Sequence, residues 1–439
     1  MSTILIKIIH EINYLVNFLN LRPLFCIIYL RKVKHMKRLK ERFIRYVKID
    51  TQSDPTSNTF PSTQKQLDLS KLLVEEINAM GFNARLDKDG YVYAHIPSNL
   101  NKKVPAVGFI AHVDTSPDAP GYPVNPQVIK NYDGSNIKLN ATYQMHPNQY
   151  PALKKVIGDD IVVTDGHTLL GADDKAGVAE IMEVLHQLSE NPNIAHGDIY
   201  ICFTPDEEIG KGADRFDYDW FKADFAYTLD GSEVGGIEYE NFNAASATLE
   251  FTGKSIHPGA AKHKMVNALH LQMEFHHMLP KFLDPAITEG YEGFNHLTNA
   301  SGQVEFATAH YIIRNHSMDL FKKQQQTFKD ITDYMNKKYG YDAVKLEIKE
   351  SYLNMYEIIK DHMYVIDYAV NATKRAGLTP KFEAIRGGTD GARLTYGGLV
   401  CPNLGTGAYH FHGRLEFASI NQMQKAVEVI FNIIDEVQK

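Results

Sequence analysis

Three carboxylates in a row, Asp206-Glu207-Glu208, sit inside the run Thr204-Pro205-Asp206-Glu207-Glu208-Ile209-Gly210. Adjacent carboxylates repel, so the cluster is unfavourable unless something positive lies beside it. Other residues able to hold a cation recur along the chain. His112-Val113-Asp114 puts an aspartate two residues after a histidine, and on a strand such residues point to the same side. An aspartate so placed can hold the imidazole of a metal-binding histidine, fixing its tautomer and raising its basicity. Gly171-Ala172-Asp173-Asp174-Lys175-Ala176-Gly177 supplies paired aspartates before a helical pattern, which suggests one helix cap and one ligand. Neither phosphate-cradling glycine pattern is present there. Each motif alone has a plainer reading. Asp206 could cap a helix after an acidic turn, and His112 with Asp114 could be the solvated end of a strand.

The elements that must position these groups follow from periodicity. Asp198 to Phe203 is an apolar run of strand length, with Pro205 ending it and Gly210 turning the chain away. The carboxylates therefore sit at the end of a buried strand, where open α/β sheets place their ligands. Pro105 to Ala111 reads as a second buried strand ending on His112, and Phe225 to Leu229 as a third ending on Asp230. Four successive strand ends are thus expected to deliver His112, Asp173, Glu208 and Asp230. The Pro- and Gly-rich stretch from Ser116 to Tyr122 suits a site wall. Around them, the spacing predicts helices over Met36 to Val47 and Val178 to Leu188. Another, capped by Ser62 or Thr63, carries Leu69, Leu72, Leu73, Ile77 and Met80 and stops at Gly81. A hairpin is predicted around Asp87-Lys88-Asp89-Gly90. After Asn243 the pattern changes to strands over 244–251, 304–314 and 344–351 with helices over 265–279 and 318–338. That is a small α+β unit, an antiparallel sheet backed by two helices in a ferredoxin-like manner. The helix over 363–376 and the strand-like 399–402 resume the first domain. The expected fold class is α/β, with a mixed central sheet in 36–242 and 354–439 and an inserted lid in 243–353.

Composition bounds the rest. The 439 residues are 44% hydrophobic and 23% charged, an ordinary globular balance with room for two or three domains. A net charge of −7 without a basic stripe argues against a nucleic-acid partner. Cys26, Cys202 and Cys401 are too few and too scattered for a disulfide framework, which fits a reducing cytoplasm. Residues 1–35 do not match the remainder. Lys7, His10, Glu11 and Arg22-Pro23 interrupt their apolar stretch, and a membrane anchor wants about 20 predominantly apolar residues. The preferred reading starts the native product at Met36 and treats 1–35 as an extension; a signal anchor is the alternative.

Taken together and in order, the motifs resemble a family. His112-Val-Asp114, Gly171-Ala-Asp173-Asp-Lys-Ala-Gly177, Pro205-Asp-Glu207-Glu208-Ile-Gly210, Asp230-Gly231, His257-Pro-Gly259 and His412-Gly-Arg-Leu-Glu416 are similar to those of the two-zinc aminoacylase/carboxypeptidase (M20) superfamily of metallopeptidases. Finer matches resemble its tripeptide aminopeptidases: Gly235-Gly-Ile-Glu-Tyr-Glu-Asn-Phe-Asn243, Tyr311-Ile-Ile-Arg314 and Arg386-Gly-Gly-Thr-Asp-Gly391. The likeness runs from Met36 to Lys439. It implies that His112, Asp173 and Asp230 bind one zinc ion and that Asp173, Glu208 and His412 bind the other, Asp173 bridging. Three carboxylates and a hydroxide would offset the charge of such a pair. Glu207 would be the general base and Asp114 would orient His112. His257 would help hold the developing oxyanion, and Arg314 would grip the substrate's carboxylate. The implied activity removes the N-terminal residue from tripeptides. A carboxypeptidase or N-acyl-amino-acid deacylase with the same metal site is the alternative, whereas a pure binder would have no need of Glu207. Short peptides are the implied substrates, with no stable membrane partner, and a homodimer is one assembly the resemblance allows.

Overall fold

The computed structural model describes the backbone of residues 22–439 and the side chains from Val33 onward. The expectations for residues 1–21 lie outside the described residues. The first helix, α1 (Arg22–Val47), is longer than the predicted 36–47. Pro23 falls in its first turn, where a missing N–H is no loss, and neither proline nor glycine follows before its end. The segment around Lys34 is therefore continuous with the helix, and Lys34 pairs with Glu190 at 2.8 Å. Among the described residues no helix is long and apolar enough to cross a membrane.

Next come α2 (Gln66–Ala79), β1 (Asn83–Leu86), β2 (Val92–Ile96), β3 (Val107–His112), α3 (Ala172–Glu190), β4 (Ile199–Thr204), β5 (Phe225–Gly231) and β6 (Gly236–Glu238). An inserted run supplies β7 (Asn243–Thr252), α4 (Ala268–Met278), β8 (Phe294–Gly302), β9 (Phe306–Asn315), α5 (Met318–Tyr339) and β10 (Val344–Tyr352). The chain closes with α6 (Tyr364–Arg375), β11 (Lys381–Phe382), α7 (Asp390–Tyr396), β12 (Asn403–Gly405) and α8 (Ile420–Glu436). The central sheet is mixed, in the order β1-β2-β4-β3-β5-β12-β6-β11. Its heart, β4-β3-β5-β12, is parallel. Parallel strands buried on both faces read as continuous apolar runs, and β3 is buried at every position. Phe109 and Ala111 face the core under α1, α3 and α8, while Ile110 faces the opposite cluster with Cys202, Phe216 and Phe221.

The inserted unit is a four-stranded antiparallel sheet, β8-β9-β7-β10, with α4 and α5 against one face. Three strands were predictable. The fourth, β8, was not, because this edge strand is exposed and polar (Phe-Asn-His-Leu-Thr-Asn-Ala-Ser-Gly) and lacks apolar alternation. Its edge position explains why such a sequence can still form a strand. Near 399–402 the chain runs beside β5 through Ala226 N–H to Val400 and Thr228 N–H to Pro402, but the strand proper is Asn403–Gly405 because Pro402 has no N–H to give. Two crossings join the unit to the sheet, and buried asparagines lock them together. Asn354 accepts from the Asn241 N–H (3.0 Å), Asn243 from the Asn354 N–H (2.9 Å), and Asn241 from the Met355 N–H (2.7 Å).

One buried charge site in α3 makes a stability prediction. Glu180 is fully buried and neither carboxylate oxygen has a hydrogen-bond partner. Burial, with Asp174 nearby, holds its carboxyl well above the usual carboxylate range. The folded state therefore keeps a proton that the unfolded chain loses near pH 4.3, so the stability Glu180 contributes is full below that pH and declines as pH rises towards the folded value. Glu180→Met should be close to neutral at pH 4.5. Above it the variant should gain up to about 1.4 kcal/mol per pH unit relative to the unmodified chain, read by urea unfolding. A difference that stays flat with pH would show that Glu180 is ionised in the fold.

Candidate active site

Three neighbouring parallel strands set the site. In the order β4-β3-β5, His112 ends β3, Asp230 is the penultimate residue of β5, and Glu207 and Glu208 follow β4 in a short turn. Asp173 does not sit at a strand end as expected; it opens α3, with a non-helical backbone at Asp173 and Asp174. His412 comes from a loop after Ala408–Tyr409, at a φ of +60°. Five of these residues, all but Glu207, converge. His112 Nε2 lies 2.9 Å from Asp173 Oδ1 and 3.5 Å from Asp230 Oδ1. His412 Nε2 lies 3.3 Å from Asp173 Oδ2 and 2.9 Å from Glu208 Oε2. Asp173 thus turns one oxygen to each histidine. His112, Asp173 and Asp230 form one group, and Asp173, Glu208 and His412 a second, each with ligand atoms within 4.8 Å of one another. Glu207 belongs to neither group and stands 4.0 Å from His112 Nε2.

The surrounding hydrogen bonds explain the aim of each side chain. Asp114 is fully buried, with Oδ1 at 3.3 Å from His112 Nδ1. Its carboxylate also accepts the N–H groups of Glu207 (3.0 Å) and Glu208 (3.1 Å), so one aspartate steadies the histidine and both glutamates. Asp206 is not a helix cap. Its backbone is left-handed (φ +58°) and its buried carboxylate turns back to accept from Ser62 N–H (2.6 Å) and the Gln66 amide (2.6 Å). That also corrects Ser62 and Thr63 as caps of α2: Ser62 bonds Asp206, Thr63 donates to the Gln52 carbonyl, and α2 starts without a side-chain cap. The paired aspartates divide as expected in geometry, since Asp174 accepts from Gly177 N–H (3.1 Å) at the helix start while Asp173 faces the histidines. Asp118, in the loop over 116–122, stands 3.2 Å from His412 Nδ1.

Glu416 was missed. It is buried and accepts from the N–H groups of Leu170 (2.7 Å), Gly171 (2.8 Å) and Asp173 (3.0 Å), so it shapes the loop that presents Asp173. The one available signal was its place in His412-Gly-Arg-Leu-Glu416.

The electrostatics describe too many acids in too little water. Burial and the Asp230 carboxylate push Glu207 well above the usual range. Burial and Asp173 push Glu208 up to about 8. Bonds to Asp173 and Glu208 push His412 up to about 11. Burial works against ionised Asp173, yet bonds from His112 and His412 hold its carboxyl below the usual range. Carboxylates crowded and buried in this way are what divalent cations offset.

A cavity of about 690 Å³ opens beside these groups, lined among others by Glu207, Glu208, Asp230, Glu238, Tyr352 and His412. Arg314 and His257 are not among its lining residues. Arg314 lies 5.4 Å above the ring of Tyr352, which does line it, and donates to the carbonyls of Ala245 (3.2 Å) and Ile313 (3.0 Å). His257 is exposed, and its ring accepts only the local Gly259 N–H at 3.2 Å. Arg386 ties the loop before α7 to the inserted unit through the carbonyls of Gly290 (2.7 Å) and Glu292 (2.9 Å).

Comparison with known proteins identifies relatives of the whole chain. A family model described as a peptidase dimerisation domain matches residues 239–343. Peptidase T of Clostridium perfringens is 51% identical over 400 residues, covering 91% of this chain and 98% of that protein. Two solved structures share the fold: aminopeptidase PepT from Bacillus cereus (TM-score 0.73, 24% identity) and a tripeptidase from Staphylococcus aureus (TM-score 0.74, 22% identity). Each match covers 92% of this chain and 99% of the other. At half identity over nine-tenths of its length, the chain belongs to the peptidase T family.

Proposed function

We propose that this chain removes the N-terminal residue from tripeptides by metal-assisted hydrolysis, with Glu207 as general base. The observation that carries the reading is Asp173, which offers one oxygen to each of two ligand groups while Glu207 stands beside them as a ligand in neither. The residues fit a metal pair. Glu208 Oε1 is buried without a hydrogen-bond partner, and the donor set of imidazole nitrogen and carboxylate oxygen suits zinc, with manganese or cobalt as substitutes in vitro. In this assignment His112, Asp173 and Asp230 hold one ion and Asp173, Glu208 and His412 the other. Two zinc ions there would supply an acidified water and polarise the scissile carbonyl.

The chain's own residues do the rest. Glu207, oriented through its backbone by Asp114, takes a proton from the attacking water and passes it to the departing amine. Asp114 holds His112 in one tautomer. Carboxylates in the cavity wall, Glu238 among them, can receive a free α-ammonium group. A carboxypeptidase or deacylase would need the opposite end read first, and membership of the peptidase T family does not favour that alternative. The division into a metal-binding unit over 36–242 and 354–439 and a lid over 243–353 belongs to the same reading, as does a homodimer formed through the lid. The buried thiols of Cys202 and Cys401 fit a cytoplasmic enzyme.

Arg314 is the cation proposed to meet the peptide's α-carboxylate, and His257 the lid histidine proposed to steady the oxyanion. Both would act on closure of the lid, since neither lines the cavity in this conformation. The test compares zinc-loaded enzyme on tripeptides, dipeptides and N-acetylated tripeptides. Tripeptides should be cleaved, and acetylation should abolish cleavage. Preference for the acetylated peptide would replace the reading with a deacylase. Amidating the tripeptide's C-terminus should cost a few kcal/mol in kcat/KM, the scale of a lost charge-assisted pair. Arg314→Ala should cost a similar amount with the acid and little more with the amide. Equal cleavage of acid and amide by the unmodified enzyme would remove Arg314 from substrate recognition.

A further inference from the structure

Tyr352 is the last residue of β10, immediately before the asparagine-locked crossing, and its side chain forms part of the cavity wall with Glu207 and Glu208. Three contacts fix it. A Cβ at Gly388 would lie 2.6 Å from the ring's Cε1 and 2.8 Å from Cζ, so glycine there is what lets the ring lie against the cavity loop. The Arg314 guanidinium sits 5.4 Å from the ring centroid. Asn354, two residues on, is held by Asn241 and Asn243, so Tyr352 is anchored to the central sheet even if the lid rotates. A phenol hydroxyl can donate as well as accept, so this one can give a hydrogen bond to a substrate oxygen.

Two other polar side chains of the wall are already engaged. Thr389 Oγ1 lies 3.5 Å from Asp230 and 3.1 Å from Asn403, and Arg393 pairs with Asp214 and the Gly210 carbonyl. His257 is outside the cavity.

We infer that Tyr352 touches the substrate, its hydroxyl donating a hydrogen bond to the scissile carbonyl oxygen as that oxygen becomes an oxyanion. This rests on the peptidase reading above. No bond to Tyr352 forms or breaks: the phenol keeps its proton, and the negative charge that grows on oxygen when water adds is met by a donor already in place. Burial raises the phenol's pKa, so the donor stays protonated at neutral pH. Because the ring is fixed by Gly388 and the locked crossing, the donor needs no reorganisation at the moment of reaction.

The test uses zinc-loaded enzyme, the unmodified chain and Tyr352→Phe, which removes one oxygen and keeps the ring. The variant is expected to lose about 10²-fold in kcat with KM little changed, the scale of one oxyanion donor. Its affinity for a phosphinic tripeptide analogue, which mimics the tetrahedral state, should fall by a similar factor while affinity for the product dipeptide holds. Gly388→Ala displaces the same ring and should also lower kcat, with the double variant little worse than either single one. An active unmodified enzyme whose Tyr352→Phe variant keeps kcat and analogue affinity overturns this inference alone. An unmodified enzyme inert towards every tripeptide overturns both this and the proposed function. A fall in metal content that matches the fall in kcat also overturns it, since Tyr352 would then be supporting the site and not the substrate.

Discussion

Glu207→Gln is expected to lower kcat by about 10²–10⁴-fold, the range for loss of a general base, while metal content stays that of the unmodified enzyme. The amide keeps the size of the carboxylate, and the backbone that carries it is held independently through the Glu207 N–H to Asp114. What is lost is only the capacity to take a proton. The neighbouring substitution makes the contrast. Glu208 Oε2 lies 2.9 Å from His412 Nε2, inside a ligand group, so Glu208→Gln should weaken metal binding first and activity as a consequence. Both quantities can be read on the same samples, by elemental mass spectrometry after dialysis and by steady-state kinetics. If the two phenotypes were exchanged, the base and the ligand would have to be exchanged with them.

Asp173→Ala should be more drastic, because it removes an oxygen from both groups at once. The prediction is a fall from about two ions per chain to none retained after dialysis, with activity lost throughout. His112→Ala and His412→Ala, each touching one group, should leave the other partly filled. A fully loaded Asp173→Ala enzyme would remove the bridge from the assignment. The same variant reports on the fold. Asp173 lies beside both His112 and His412 and shifts the pKa of each upward, so in the metal-free protein the substitution should also lower both histidine pKa values, visible by NMR titration.

The legibility of this site in the sequence had a simple physical basis. Buried parallel strands must be apolar along their whole length, so β3, β4 and β5 stood out, and a polar group at their ends was conspicuous by contrast. His112, Asp230 and the Glu207–Glu208 pair were found that way. The hairpin at Asp87 to Gly90 was read from its turn residues instead, and its strands pair from Asn83 with His95 to Leu86 with Val92. Edge strand β8 was lost for the opposite reason, since a strand exposed along its length needs no apolar residues and leaves no periodic trace.

The sequence by itself determined which residues could serve as ligands, which strand ends would carry most of them, and, through the ordered motifs, the family. It could not determine what each carboxylate faces. Asp206, Glu207 and Glu208 are chemically near-equivalent neighbours. The left-handed turn at Asp206 alone sends the first back to Ser62 and Gln66 and the other two forward to the histidines. Glu416 and Tyr352 act through contacts with Asp173 and Gly388, far from them in the chain, so no local pattern marks them. Local propensity is set by neighbours in sequence, whereas the direction of a buried side chain is set by whichever donors the packed fold brings within about 3 Å, and only the tertiary structure supplies those.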